Sequence, residues 1–363
     1  MAAALALSER ARGQTAPNPN VGCVIVKQGR VIGRGWTQPG GRPHAEAMAL
    51  AEAGGAAQDA TAYVTLEPCA HRSTRGPACS TGLIDAGVAR VVIALADPDP
   101  RTNGAGIARL EAAGVAVVTG ALAGASRQAM AGFLTRQALG RPQVTLKLAT
   151  SLDGCIALAS GESRWITGPE ARAHAHLERA RHEAILVGRG TVDADSPRLD
   201  VRLPGLENRS PQRVILSSRH AREGGGPSPE LFRQERRQEL GPRFRGDDQG
   251  WKAIACPADI AALDGVDHLL VEGGAQTAAV FLAADLVDRL LLYRAPIVIG
   301  GGKPAIGDIG LVDLADAHGR WLLADARNLG SDRLEVYLRD REAVAPSGKV
   351  GAGFPPGRGD NKE

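Results

Sequence analysis

Donor atoms suited to Zn²⁺ occur at three positions in the N-terminal part of the chain, His44, Cys69 and Cys79. A structural zinc site normally has four protein ligands, whereas three leave one position for water. Zinc in such a site makes water acidic enough to act as a nucleophile near neutral pH. Glu46 lies two residues after His44, where a carboxylate that is not itself a ligand can move protons. The set predicts hydrolytic chemistry at a metal site, with Glu46 as the catalytic residue.

The order of these residues follows the signature of zinc-dependent nucleobase deaminases, H-x-E and then P-C-x-x-C, with one departure. The chain has His44-Ala-Glu46 and Pro68-Cys69, but the second cysteine comes ten positions later instead of three. His71 lies close to Cys69 and is a competing ligand. The remaining cysteines stand apart from these motifs, and we expect them to be small core residues. They are Cys23, Cys155 and Cys256.

Strand-like and helix-like segments alternate over residues 1–141, which we predict to form one domain. The first two strand-like runs are separated by Lys27-Gln-Gly-Arg30, which favours a hairpin. Alternation of strands and helices predicts a three-layer α/β sheet. The expected strands begin at Val21, Val31, Ala62, Val91 and Val115, and the expected helices cover the N-terminus, 45–53, 80–86 and 107–113.

A second α/β domain is predicted over residues 142–343, after the Arg141-Pro142 step. The dinucleotide fingerprint G-x-G-x-x-G is absent after its first strand. Two glycine-rich turns, Gly188-Arg-Gly190 and Glu272-Gly-Gly274, follow strand-like runs, and such a turn at a helix N-terminus favours an anion. The expected strands begin at Val144, Ala184, Arg213, His268 and Arg289, with helices over 169–181 and 277–284 and a last edge strand over 334–338.

Composition narrows the class of protein. The chain has 363 residues, of which 44% are hydrophobic and 23% charged, as in an ordinary globular protein. It has no apolar run of about 18 residues, so we expect no membrane span. Five cysteines argue against a disulfide framework, and a formal net charge of +3 implies no nucleic-acid partner. The N-terminus lacks the basic region of a signal peptide, so we expect a cytoplasmic protein. We predict that 224–250 is a flexible insert and 344–363 a disordered tail.

The deaminase motifs resemble one family closely. Pro17-Asn-Pro-Asn-Val-Gly-Cys23, Thr65-Leu-Glu-Pro-Cys-Ala-His71 and Gly76-Pro-Ala-Cys79 are similar to the deaminase half of the bifunctional riboflavin-biosynthesis deaminase/reductases, which have a longer loop between the two cysteines. The resemblance implies that Asn18, Asn20 and this loop shape a pocket for a phosphorylated ribosylaminopyrimidine. Its phosphate would suit the loop residues Arg72, Ser73, Thr74 and Arg75.

The second domain resembles the reductase half of the same family, whose fold is similar to dihydrofolate reductase. The resemblance rests on Lys147-Leu-Ala149, Gly161-Glu-Ser163-Arg-Trp165, Thr191-Val-Asp-Ala-Asp195 and Val271-Glu272-Gly-Gly274. It implies NADPH as the cofactor and a homo-oligomer. The implied cofactor-binding residues are Ala149, Trp165, Thr191, Asp195 and Gly274, and the implied substrate-binding residues are Ser163, Arg179, Leu199, Arg202 and Glu272.

The sequence therefore predicts a bifunctional enzyme that deaminates a diaminopyrimidinone ribosyl phosphate and then reduces its ribosyl group to a ribityl chain. Two alternatives stay open at this point. One is a nucleoside or tRNA deaminase with an inert C-terminal domain. The other is a zinc-stabilised module that binds nucleic acid through its arginine-rich segment, with an affinity that falls steeply with salt.

Overall fold

The computed structural model describes residues 1–71, 76–217 and 250–341. The predicted tail, and the predicted insert apart from Gly250, lie outside the described residues. Within those residues, no helix combines the length and the apolar character needed to cross a membrane.

Over residues 1–71 and 76–141, the N-terminal part contains a five-stranded sheet and six α-helices. Its elements are α1 (Ala2–Ser8), β1 (Gly22–Lys27), β2 (Arg30–Trp36), α2 (Ala45–Ala53), β3 (Thr61–Val64), α3 (Cys79–Asp85), β4 (Arg90–Ile93), α4 (Ala105–Ala112), β5 (Ala116–Thr119), α5 (Ala123–Ala129) and α6 (Ala131–Leu139). The strand order is β2-β1-β3-β4-β5. Strands β1 and β2 form the predicted antiparallel hairpin, and β3, β4 and β5 run parallel to one another.

Helices cover both faces of this sheet. Gly22 contacts α1, whereas Gly33 and Gly35 contact α2. Gly35 pairs with Cys23 and therefore lies on the face opposite to Gly22, since successive residues of a strand point to opposite sides. The predicted three-layer arrangement is confirmed, and Cys23 is fully buried in its core as expected.

Backbone contact between α2 and β2 fixes the position of the helix. A Cβ atom at Gly35 would come closer than 3.0 Å to the backbone of Ala45, and one at Gly33 would do the same at Ala49. The helix presents small side chains to the sheet, because Ala45 and Ala49 are fully buried. This contact places the N-terminus of α2, with His44 and Glu46, at one end of the sheet.

The C-terminal part contains an eight-stranded sheet. Its elements are β6 (Gln143–Thr150), β7 (Cys155–Ala157), α7 (Pro169–Arg179), β8 (Ala184–Gly188), α8 (Arg189–Asp195), β9 (Gln212–Leu216), β10 (Lys252–Ile254), β11 (His268–Val271), α9 (Ala275–Ala283), β12 (Arg289–Arg294), β13 (Lys303–Pro304), β14 (Trp321–Leu329) and β15 (Asp332–Arg339). The strand order is β10-β9-β8-β11-β6-β12-β15-β14, and β7 pairs with β13 separately.

Six strands of this sheet are parallel, from β10 to β12, and their buried residues build the core together with α9. The prediction of an edge strand at 334–338 was wrong. Strand β15 lies between β12 and β14, and β14 is the edge. The sequence of β14 gives no alternating apolar pattern because seven of its nine residues are exposed. The core prediction for Cys256 was also wrong, since this half-buried thiol donates to Asp259 Oδ1 at 3.3 Å.

Replacement of Gly35 tests the contact between α2 and β2. We expect Gly35→Ala to lower the free energy of unfolding by about 1–3 kcal/mol, because the added methyl group overlaps the helix backbone. Chemical denaturation measures this loss. Gly55→Ala is the matched control, since a Cβ atom there has no neighbour within 4 Å. Equal stability of the two variants would contradict the packing argument.

Candidate functional site

The three predicted zinc ligands come together although they lie on separate elements. His44 is the N-cap residue of α2, Cys69 lies in the loop after β3, and Cys79 is the first residue of α3. Their donor atoms all lie within 4.8 Å of one another. His44 Nδ1 is 3.3 Å from the Cys79 sulfur and 3.7 Å from the Cys69 sulfur. The competing ligand His71 is not part of this group.

The two sulfurs differ in their electrostatic environment. The backbone N–H of Cys79 donates to Cys69 Sγ at 3.3 Å. Hydrogen bonding from the Cys79 thiol, together with the His44 ring, outweighs burial and lowers the pKa of Cys69. The same hydrogen bond and burial raise the pKa of Cys79. This environment favours the thiolate form of Cys69, which is the form that binds a metal cation.

Glu46 lies in the first turn of α2, beside the cluster of donors. Its side chain is buried, at 3% exposure, and burial raises its pKa to about 7. The Cys79 thiol is a hydrogen-bond partner of its carboxyl group. Since Glu46 does not belong to the metal-donor group, its carboxyl group is available for proton transfer.

A cavity of about 370 Å³ opens next to these residues. His44, Glu46 and Cys69 contribute to its wall, as does His71, whose Nδ1 atom is buried without a hydrogen-bond partner among the described residues. The other lining residues are Pro17, Asn18, Pro19, Val21, Thr37, Arg42, Leu66, Glu67, Asp97, Asp99, Arg101, Phe133 and Gln137. The predicted phosphate residues 72–75 lie outside the described residues.

The two predicted pocket asparagines have different places. Asn18 lines the cavity and donates to the Gly41 carbonyl at 2.7 Å. Asn20 is buried and donates to the carbonyls of Ser8 and Ala129, so it joins α1 to the end of α5. Asn20 therefore supports the surrounding structure and does not line the cavity.

Sequence reasoning missed Glu67, a buried carboxylate that organises the far wall of the cavity. Its Oε2 atom accepts N–H bonds from Asp97 and Gly104, at 3.1 and 2.9 Å. Its Oε1 atom accepts from Gly106 and Ile107, at 2.9 and 3.1 Å. Four backbone donors thus tie the loop from residue 97 to the start of α4 to one side chain. Its position between Leu66 and the Pro68-Cys69 motif was the only signal in the sequence.

In the C-terminal part, two predicted residues and a lysine meet where parallel strands end. Glu272 follows β11 and accepts two hydrogen bonds from Arg179, at 2.8 and 2.9 Å. Lys147 on β6 lies 3.7 Å from the same carboxylate. Burial alone would raise the pKa of Glu272, but the charges of Lys147 and Arg179 outweigh burial and lower it to about 2. Ligands of open α/β sheets bind at this carboxyl edge.

The loop from Asp200 to Arg202 lies beside this ion pair. The Asp200 carbonyl accepts from Arg179 Nη1 at 3.1 Å, and His176 Nδ1 lies 3.1 Å from it. Arg202 is exposed and lies 3.4 Å from the Asp200 carboxylate. Of the two arginines predicted to hold substrate, Arg179 is fixed by its partner and Arg202 faces solvent. The predicted contact residue Leu199 packs its side chain in the core.

The predicted cofactor residues lie near the ends of adjacent strands. Ala149 is on β6, Thr191 is on α8 after β8, and Gly274 is the N-cap residue of α9 after β11. A Cβ atom at Gly188 or Gly273 would collide with Thr277, so these glycines permit close packing of the turns, while Gly274 faces open space. Within the described residues, no hydrogen bond or ion pair joins Ser163 to this group. Trp165 is 67% exposed, under the Arg172 guanidinium, and Asp195 pairs with Arg164 at 3.6 Å.

Replacement of Glu67 tests its role in the cavity wall. Glu67→Gln keeps the size of the side chain but turns an amide N–H₂ group towards backbone N–H donors. We expect a loss of about 1–3 kcal/mol in unfolding free energy, the cost of leaving a buried group unsatisfied. Urea denaturation measures it. Glu111→Gln, an exposed carboxylate on α4, is the control, and equal stability of the two variants would refute the role.

Comparison with known proteins assigns both halves. Residues 1–95 match the cytidine and deoxycytidylate deaminase zinc-binding region, and residues 142–334 match the RibD C-terminal domain. Riboflavin biosynthesis protein RibD of Escherichia coli K12 is 40% identical over 359 residues, covering 92% of this chain and 96% of the relative. The corresponding protein of Mycobacterium tuberculosis H37Rv is 39% identical, covering 92% and 95%.

Solved structures agree with this assignment. Acinetobacter baumannii RibD, form 1, superimposes with a TM-score of 0.77 at 36% identity, covering 93% of this chain and 97% of that one. The diaminohydroxyphosphoribosylaminopyrimidine deaminase/5-amino-6-(5-phosphoribosylamino)uracil reductase of Thermotoga maritima gives 0.77 at 30% identity, with the same coverage. The predicted combination of a cytidine-deaminase-like and a dihydrofolate-reductase-like domain is confirmed. The chain belongs to the RibD family of riboflavin biosynthesis enzymes and is a bifunctional deaminase and reductase.

Proposed function

We propose that the chain catalyses two successive reactions on one phosphorylated ribosylaminopyrimidine. The first is hydrolytic deamination of 2,5-diamino-6-ribosylamino-4(3H)-pyrimidinone 5′-phosphate. The second is NADPH-dependent reduction of its ribosyl group to ribityl. The observation that carries the proposal is the convergence of His44, Cys69 and Cys79 at a cavity that also holds the Glu46 carboxyl group. The Thermotoga maritima relative, whose name describes both activities, supports it.

The donor set fits a zinc ion. One imidazole nitrogen and two sulfurs match the ligands of a catalytic zinc site with an open position. We assign His44, Cys69 and Cys79 to hold it. The ion supplies Lewis acidity, which makes water a nucleophile near neutral pH.

Glu46 is the residue to which we assign proton transfer. Hydrolytic deamination requires that the attacking water lose a proton and that the leaving nitrogen gain one. A single carboxyl group can do both if it lies beside the reacting ring carbon and is shielded from bulk water. Glu46 is buried and contributes to the cavity wall, next to Cys79. The polar cavity residues Asn18 and His71 are available to hold the pyrimidine.

Charge on the cavity wall suits an anionic substrate. Arg42 and Arg101 both line the cavity, and a guanidinium group matches the geometry of a phosphate. Arg101 is already paired with Asp99 through three hydrogen bonds from its guanidinium group to that carboxylate. Arg42 is therefore the better candidate for the 5′-phosphate.

For the reductase reaction we assign the region where β6, β8 and β11 end. NADPH supplies a hydride, and the protein binds and orients it. The turn at Gly274 precedes α9, where backbone N–H groups are available to an anion. Gly273 packs closely on Thr277, which holds this turn against the helix. We assign Ala149 and Thr191 to line the same cofactor site, with Trp165 and Asp195 at its exposed rim. Glu272 and Arg179 are assigned to the sugar phosphate, with Ser163, Leu199 and Arg202 around them.

A cytoplasmic homo-oligomer completes the proposal. All five cysteines are free, which suits a reducing compartment. The edge strand β14 exposes Leu322 and Leu323, and the preceding segment exposes Val312 and Leu314. Exposed apolar residues of this kind on a sheet edge suit coverage by a second copy.

Glu46→Gln tests the deaminase assignment. The amide cannot transfer the proton, so we expect ammonia release from the diamino substrate to fall by about 10²–10⁴-fold. Zinc content, measured by elemental analysis, should stay at the wild-type level because Glu46 is not among the assigned ligands. Reduction of the separately supplied deaminated substrate is the internal control and should not change. Full ammonia release by the variant would refute the assignment.

Glu272→Gln tests the reductase assignment. Loss of the carboxylate leaves Lys147 and Arg179 without their partner, so both cations rearrange and misplace the substrate. We expect NADPH oxidation with the deaminated substrate to fall by about tenfold or more in kcat/KM. Ammonia release from the diamino substrate should persist, and Glu111→Gln should leave both activities intact. Unchanged NADPH oxidation would refute the role, and an absence of NADPH binding by the wild-type protein would favour an inert C-terminal domain.

A further inference from the structure

Helix α6 lines the deaminase cavity and also contacts the C-terminal part of the chain. Phe133 and Gln137, one turn apart on this helix, line the deaminase cavity. On a neighbouring face, Gly132 and Arg136 contact the C-terminal part of the chain. The helix is therefore both a wall of one active site and a contact surface for the domain that carries the other.

Arg136 forms hydrogen bonds with the backbone of the segment before β11. Its guanidinium group donates to the carbonyl oxygens of Ala261, at 2.9 Å, Leu263, at 3.0 Å, and Val266. It also donates to Gly140 at the end of its own helix, at 3.1 Å. A planar guanidinium group that donates to several carbonyl groups holds its helix in one orientation. The ammonium group of a lysine, on its flexible side chain, would not do so.

Gly132 brings the start of the same helix against a buried ring. A Cβ atom at this position would lie closer than 3.0 Å to three atoms of the His268 ring. That ring cannot easily retreat, because His268 is buried on β11 and its Nδ1 atom lies 3.3 Å from Glu183. The two contacts, one turn apart, hold one face of α6 against the C-terminal part.

We propose that the reductase domain positions one wall of the deaminase cavity through α6, and that Arg136 and Gly132 are positioning residues for deamination. The inference rests on the proposed deaminase function of the cavity. Neither residue lines the cavity or belongs to the assigned metal and proton-transfer groups. A change at either one reaches the substrate only through Phe133 and Gln137, so it alters binding of the pyrimidine more than the chemical step.

Steady-state deamination by full-length variants tests the proposal. We expect Arg136→Ala and Gly132→Ala each to raise the KM of the diamino substrate by about tenfold while kcat stays within about twofold of wild type. Arg136→Lys should give an intermediate KM, since one ammonium group replaces part of the fork. Hydrogen–deuterium exchange of 131–139 should be faster in the alanine variants than in wild type.

Matched controls separate positioning from general damage. Gly124→Ala lies on α5 and meets nothing within 4 Å, and Arg127→Ala removes an exposed arginine from the same helix. Both should leave KM and exchange unchanged. Reduction of the deaminated substrate should keep its kinetic constants in all variants. Arg136 contacts backbone carbonyls and the Asp267 carboxylate before β11, Gly132 meets His268, and none of these groups is assigned to the reductase site.

The outcomes are distinct. A wild-type protein without deaminase activity would overturn the proposed function itself. Wild-type activity with unchanged KM in both Arg136→Ala and Gly132→Ala would overturn the positioning role alone. A parallel fall of deamination and reduction would also overturn it, since that result indicates a loss of overall stability. If one of the two variants fails to fold, the other decides.

Discussion

Helix α2 lies directly against the backbone of β2, and the deaminase site depends on this contact. Gly33 and Gly35 leave no side chain between the two elements, and the helix turns fully buried alanines towards them. Because a helix is rigid over its length, the contact fixes the position of the N-terminus of α2. His44 and Glu46 occupy that terminus, so the proposed zinc ligand and the carboxyl group proposed for proton transfer share one rigid support. The Cys69 sulfur reaches it from the loop after β3, and the Cys79 sulfur from the first residue of α3.

Buried charge organises the rest of both sites, in two different ways. Glu67 in the N-terminal part is satisfied by backbone N–H groups, so it shapes a loop without needing a cation. Glu272 in the C-terminal part is satisfied by Arg179 and Lys147, so it holds two cations in place. A buried carboxylate requires such partners, since an isolated buried charge would be strongly unfavourable.

Much of the fold and of the metal cluster could be predicted from sequence, because both leave local patterns. Helix α2 occupies 45–53 as expected, and the order of His44, Glu46, Cys69 and Cys79 indicated their convergence despite the unusual spacing. What sequence could not show depends on backbone partners or tertiary contact. The four N–H groups that donate to Glu67 and the carbonyl groups that accept from Arg136 belong to the backbone. Every residue type offers such groups, so the sequence does not indicate them. Strand β14 was missed because its exposed residues lack alternation, and the pairing of Arg179 with Glu272 joins residues far apart in the chain.

The trio of Lys147, Arg179 and Glu272 carries two positive charges and one negative charge. Its members are mostly shielded from water, with side-chain exposures of 20, 13 and 9%. Mobile salt ions screen such a place far less than they screen a surface patch. The net positive charge of this trio therefore favours a negatively charged ligand at the end of β11, with a weaker dependence on ionic strength than an exposed patch would show.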